Sequence, residues 1–170
     1  DNLLMRMMDV LSAIPGMLLS IIVAAALGTA YHDTVIAMAI GNVAALSRIL
    51  RAQILSIREK EYVQAAKASN CSNFRIIFSH IIPNSVMPMI INCTSRLAAA
   101  LLFCASLSFI GLGVQPPEPE WGAMLAGARG YIRTYPYMLI SPGIFIALSV
   151  VGFTLLGDSL RDAMDPKLRK

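Results

Sequence analysis

The residues able to do chemistry in this chain are few and widely spaced. Cys71, Cys93 and Cys104 match no metal-ligand spacing, and an odd number of cysteines gives no self-contained disulfide framework. They read as small apolar fillers. His32 stands in a short polar turn, and His80 has no cysteine or carboxylate placed to pair with it. No G-x-x-x-x-G-K-S/T, H-E-x-x-H, C-x-x-C or G-x-S-x-G run occurs, so hydrolysis of a nucleotide, peptide or ester lacks its usual apparatus. The ten methionines raise a soft-metal pathway, but no methionine cluster with a histidine stands out and Met is a common packing residue. No catalytic residue, metal site or cofactor is expected. What remains is polarity in apolar surroundings: Arg96 flanked by Asn92, Thr94 and Ser95, and Asn42 as the main polar group of another uncharged run.

Arg96 takes its meaning from the segments that hold it. The 170 residues are 56% hydrophobic and 14% charged, with a mean hydropathy of +0.66, where soluble domains carry about 25% charged residues. Several segments lack the polar outer face that a soluble bundle needs, so the implied solvent is a bilayer. Four transmembrane helices are expected, at about 11–31, 34–52, 85–113 and 138–156, each near the ~20 residues that cross ~30 Å of hydrocarbon. Residues 2–10 read as an amphipathic lead-in at the membrane surface, and Pro88 is expected to break the third span. A charge at mid-bilayer costs ~3 kcal/mol, so Arg96 must face protein or a watery cavity. Arg96, Asn42, Asn92 and Cys104 are the pathway candidates. A structural ion pair or a place nearer the interface stays open for Arg96, and a helix–helix hydrogen bond for Asn42.

The one long segment both strongly charged and helix-forming is 53–83. Glu59, Lys60, Glu61 and Lys67 predict a water-facing helix, Asn70-Cys71-Ser72-Asn73 a turn, and Phe74 to Ile82 a second helix with one stripe of Phe74, Ile77, Phe78 and Ile81. Pro83 is expected to close it. The result is a helix–turn–helix outside the membrane. Residues 114–137 hold Pro117, Trp121 and Gly122 and cannot span; their aromatics form an interfacial belt. Arg6, the six basic residues from Arg48 to Arg75 and the four in the tail 158–170 fall on one side of a four-span chain, against Arg129 and Arg133 on the other. Lys and Arg in short loops mark the cytoplasm, which places both chain ends and the 53–83 loop there and 114–137 outside. The net charge of +4 lies mostly in two separate zones, not in a patch for nucleic acid.

Gln64-Ala65-Ala66-x-x-x-Asn70, followed by Ile82-Pro83, resembles the E-A-A-x-x-x-G…I-x-L-P loop of the inner-membrane permease subunits of bacterial ABC importers. Three further runs narrow the resemblance to the C-type subunit of the dipeptide/oligopeptide/nickel branch: Ser106 to Gly113, Pro116 to Leu125, and Gly157 to Pro166. The resemblance implies a six-span subunit of which this chain holds the last four. It further implies a second permease subunit, ATP-binding subunits docked on a coupling helix around 61–75, and an extracytoplasmic solute-binding protein. Coupling roles are implied for Glu61, Gln64, Ala65, Ala66, Asn70, Arg75 and Pro83. Two positions depart from the motif: Gln64 stands for its acidic residue and Asn70 for its glycine, although Asn tolerates the left-handed conformation better than most residues. Cys104 stands where many relatives carry a carboxylate. Peptide is the expected substrate, with nickel or another small solute as the alternative. A membrane scaffold or sensor subunit, docking a different partner, is the alternative of another class.

Overall fold

The computed structural model describes residues 2–164, in which all regular structure is helical. Helix α1 (Asn2–Ser12) and helix α2 (Gly16–Leu27) meet at 84°. The bend falls at Ile14-Pro15, because a residue before proline is pushed out of the α region. Helix α2 alone is about 18 Å long at 1.5 Å per residue, and only the bent pair together has the length of a span. Asp9 of α1 pairs with Arg48 of helix α3 (Tyr31–Arg58), Oδ1 to Nη2 at 2.9 Å. Helix α3 continues past residue 52 to Arg58 without interruption, since Arg, Gln, Leu and Ile lose little in helical form. Gly16 and Gly41 bring α2 and α3 into backbone contact: a methyl group on either would overlap the other's carbonyl oxygen.

Helix α4 (Glu61–Ala68) and helix α5 (Asn73–Ile76) follow, and α5 passes through a π-helical turn (Ile77–Ile81) into helix α6 (Ile82–Ser95). Two expectations are corrected here. Pro83 does not close the helix, which runs unbroken from residue 73 to 95. A proline ring collides with the carbonyl four residues back; the turn before it is widened, Ile82 N–H donating to the Ile77 carbonyl five residues back, which makes room. Nor does Pro88 break the span. The break comes at Arg96, whose φ of −93° and ψ of −7° lie in the bridge region between helices, and helix α7 (Leu97–Phe109) begins directly after it.

Helix α8 (Trp121–Ala128), followed by a 3₁₀ turn (Arg129–Tyr131), packs between α7 and helix α9 (Tyr137–Met164). Helix α9 carries its helical form beyond residue 156 through Asp158, Arg161 and Asp162; residues 165–170 of the tail, including Asp165 and Pro166, lie outside the described residues. Among the described residues, α3, the run from 73 to 95, and α9 are each long and apolar enough to cross a membrane, and the α1–α2 pair makes a fourth candidate. Outward-facing Phe145, Leu148, Leu155 and Leu156 are each more than half exposed, a surface fit for lipid and not for water.

Close backbone contact holds α8 in place. Gly122 is buried, and a Cβ there would overlap the backbone of Ala105 in α7. Gly122→Ala is expected to lower the thermal midpoint of the detergent-solubilised chain, overpacking costing about 1–3 kcal/mol. Gly127→Ala on the same helix, where the added methyl meets nothing within 4 Å, is expected to leave it unchanged or raise it.

Candidate functional site

The charged stretch builds a small body of its own between two long helices. Val63, fully buried, packs with Ile57 at the end of α3, Ile76 of α5 and Ile81 of the π turn, and Ile54, Ala66 and Cys71 lean on this cluster. Ile76 and Ile81 both point inward although positions five apart on an α-helix face directions about 140° apart. The π turn, with its i→i+5 bonding, brings them back to one side. The stripe expected from Phe74, Ile77, Phe78 and Ile81 is thereby divided: Ile81 is buried, and Phe74 and Phe78 stack on each other at 5.5 Å with both rings exposed.

The turn after α4 is a Schellman arrangement. Asn70 has φ +56°, its N–H donates to the Lys67 carbonyl at 3.0 Å, and the Cys71 N–H donates to the Ala66 carbonyl at 3.1 Å. The accompanying apolar contact is supplied by Cys71 and Ala66, which pack against the same cluster. Ser72 then caps α5, its Oγ accepting from the Arg75 N–H at 3.4 Å. Tyr62 of α4 meets His80 of the π turn, ring centroids 6.2 Å apart.

With that packing set, the outward face of α4 is Glu61, Gln64, Ala65 and Ala68, all exposed and all neighbours at i, i+3 or i+4. Ala65 and Ala66, paired in the sequence, are separated by the fold: Ala65 faces out and Ala66 faces the core. Arg75 is exposed on α5, and Pro83 is exposed in the first turn of α6.

The pathway candidates divide between two clefts. Asn42 and Arg96 line the same one, of ≈ 480 Å³, walled by Met38, Leu46, Phe103 and the start of α2. Asn42 donates one amide hydrogen to the Met38 carbonyl of its own helix at 2.9 Å. Asn92 is not part of that lining; its amide donates to the Pro88 carbonyl at 2.9 Å. Cys104 lines a second cleft of ≈ 330 Å³ with Glu120, Trp121 and Met124. Glu120 caps α8, accepting from the Ala123 N–H at 2.8 Å, and Trp121 stacks on Phe145 of α9 at 6.0 Å. Pro117 follows a cis peptide bond.

Sequence reasoning missed Val63, the π turn and the capping carboxylate of Glu120. Of these, the inward residues Ile76 and Ile81 carried a signal in their five-residue spacing just before Pro83; Glu120 carried little, since Glu is not a favoured capping residue.

Comparison with known proteins adds an independent line. The family described as binding-protein-dependent transport system inner membrane component matches residues 1–170. Among curated relatives, the dipeptide transport system permease protein DppC of Alkalihalophilus pseudofirmus is 45% identical, over 99% of this chain and 56% of its own length. The glutathione transport system permease proteins GsiD of Salmonella typhimurium and Pectobacterium atrosepticum are 42% and 43% identical, with the same shares covered. The chain thus spans about half the length of the curated relatives it matches.

The loop geometry is open to direct test. Asn70→Gly is expected to leave thermal stability unchanged or raise it, and Asn70→Val to lower it by about 1–2 kcal/mol, the cost of a left-handed residue with a branched side chain. Val63→Ala should cost about 1–3 kcal/mol and speed amide hydrogen exchange across residues 61–81, leaving α9 unaffected.

Proposed function

This chain belongs to the family of binding-protein-dependent transport system inner membrane components, and we propose that it serves as a permease subunit of an ATP-driven importer, forming part of the path by which a short peptide crosses the membrane. The observation that carries the reading is the body built by residues 57–81: a water-facing helix held in a fixed pose, by its own buried cluster, between two helices of span length. Such a body transmits a push. Because α4 is locked to the end of α3 by Val63 and Ile57, and to α6 by Ile76 and Ile81, a displacement of its outer face moves both long helices together. Two-state gating of a membrane path by rigid-body tilting needs this kind of lever.

No nucleotide-binding motif stands in the chain, so in this proposal ATP is hydrolysed by separate ATP-binding subunits that dock on Glu61, Gln64, Ala65 and Ala68. A second permease subunit completes the path, and an extracytoplasmic solute-binding protein delivers the substrate to the face that carries Pro117 and Trp121. The basic residues around the 53–83 loop favour a cytoplasmic position for it, since Lys and Arg in short loops mark that side. The names of the relatives, dipeptide and glutathione transport, favour a short peptide as substrate.

The fold selects the informative variant. Ala66→Arg drives a charge into the packed side of α4 and disturbs the loop itself, whereas Ala65→Arg adds bulk and charge only to the exposed face. In proteoliposomes holding the complete transporter with its binding protein, Ala65→Arg is expected to cut ATP-driven uptake of dialanine at least tenfold while the chain still reaches the membrane. Uptake at the unmodified level by an assembled Ala65→Arg complex would count decisively against the docking role.

A further inference from the structure

We infer that the cleft shared by Arg96 and Asn42 is a carboxylate-binding station on the path, where the free C-terminal carboxylate of a peptide is held while it crosses; the inference rests on the permease reading above.

The cleft lies away from both ends of α3: Asn42 is about 16 Å along the helix from Tyr31 and about 24 Å from Arg58 at 1.5 Å per residue. Arg96 and Asn42 are both exposed on this chain, and a guanidinium held away from the headgroup layer needs an anion. None is supplied internally. Among the described residues no carboxylate lies within ion-pair distance of Arg96, while Arg48 of α3 has its carboxylate in Asp9 of α1. Two features make the place a receptacle. Arg96 stands at the break between α6 and α7, with its backbone in the bridge region, and its side chain lines the cleft. The cleft itself, ≈ 480 Å³ with Met38, Leu46 and Phe103 among its walls, has the size and apolar lining of a small-ligand site with a few convergent polar groups.

The chemistry selects the ligand. A planar guanidinium offers two parallel N–H donors that match a carboxylate, and Asn42, with one amide hydrogen committed to Met38, keeps a second for the same oxygen pair. A peptide's α-carboxyl is ionised at neutral pH, and its amino end, being cationic, is repelled by Arg96. A lipid phosphate is held at the headgroup layer and does not reach this depth without leaving it. The peptide is therefore received carboxylate first.

The test uses the complete transporter with its partner subunits, and two probes, dialanine and dialanine amide. With detergent-purified complex lacking the solute-binding protein, unlabelled dialanine is expected to compete for bound radiolabelled dialanine at least tenfold better than the amide. In Arg96→Gln the two probes should converge, dialanine weakening about tenfold, the loss of a charged hydrogen-bonded pair, and the amide hardly at all. Equal weakening of both probes overturns the station, Arg96 then pairing with a carboxylate of a neighbouring subunit. Equal affinities of both probes for the unmodified complex, or no binding of dialanine to a complex that transports it, overturn it as well. Failure of the unmodified transporter to take up dialanine in proteoliposomes overturns the peptide reading itself. Where Arg96→Gln does not assemble, Arg96→Lys decides: charge is kept and the fork lost, so a few-fold weakening confined to dialanine is expected, and an equal shift for both probes refutes the station.

Discussion

A bilayer offers no water to a backbone N–H or C=O, and everything else in this structure is arranged around that constraint. Each segment inside hydrocarbon must close its hydrogen bonds within itself, which leaves helices as the only open choice for a chain of this pattern. The usual gain from burying Leu, Ile and Phe is then absent between helices, since lipid is as apolar as a protein core. The large side chains of α9 accordingly point outward. The contacts between helices fall to small residues: Gly16 against Gly41, Gly122 against the backbone of Ala105, Gly157 against Ser95. The short helix α4 and the helix ends beside it reverse the rule. Around α4, buried Val63, Ile57, Ile76 and Ile81 form one apolar cluster, as in a soluble domain.

The existence of the membrane helices was legible because long uncharged runs report on the bilayer alone. Their ends were less so. A charged residue does not stop a helix, and α3 runs through Arg48 and Arg51 to Arg58, just as α9 runs through Asp158 and Arg161. Prolines misled in the other direction. Pro83 and Pro88 were expected to end or break helices, yet a widened turn before Pro83 and a continuous helix around Pro88 absorb them. The interruption came at Arg96, with no glycine or proline beside it to announce it.

The candidate sites divide in the same way. The left-handed turn at Asn70 could be read from residue type because turn chemistry is local, and the structure has Asn70 at φ +56°. The separation of Ala65 from Ala66 needed the helical phase to be tied to a core, and that core draws on α3, α5 and the π turn at once. The shared cleft of Asn42 and Arg96 joins two distant helices, for which no local pattern exists; only their polarity in apolar surroundings marked them.

The π turn also sets the direction of the helix that follows it. It holds one residue more than an α-helical turn would, so α6 leaves it rotated by about 100° from the direction an unbroken helix would take. The turn thereby sets how α6 is rotated relative to the helix before it while Ile76 and Ile81 stay in one cluster with Val63 of α4. A single extra residue thus decides which side of α6 faces the rest of the bundle.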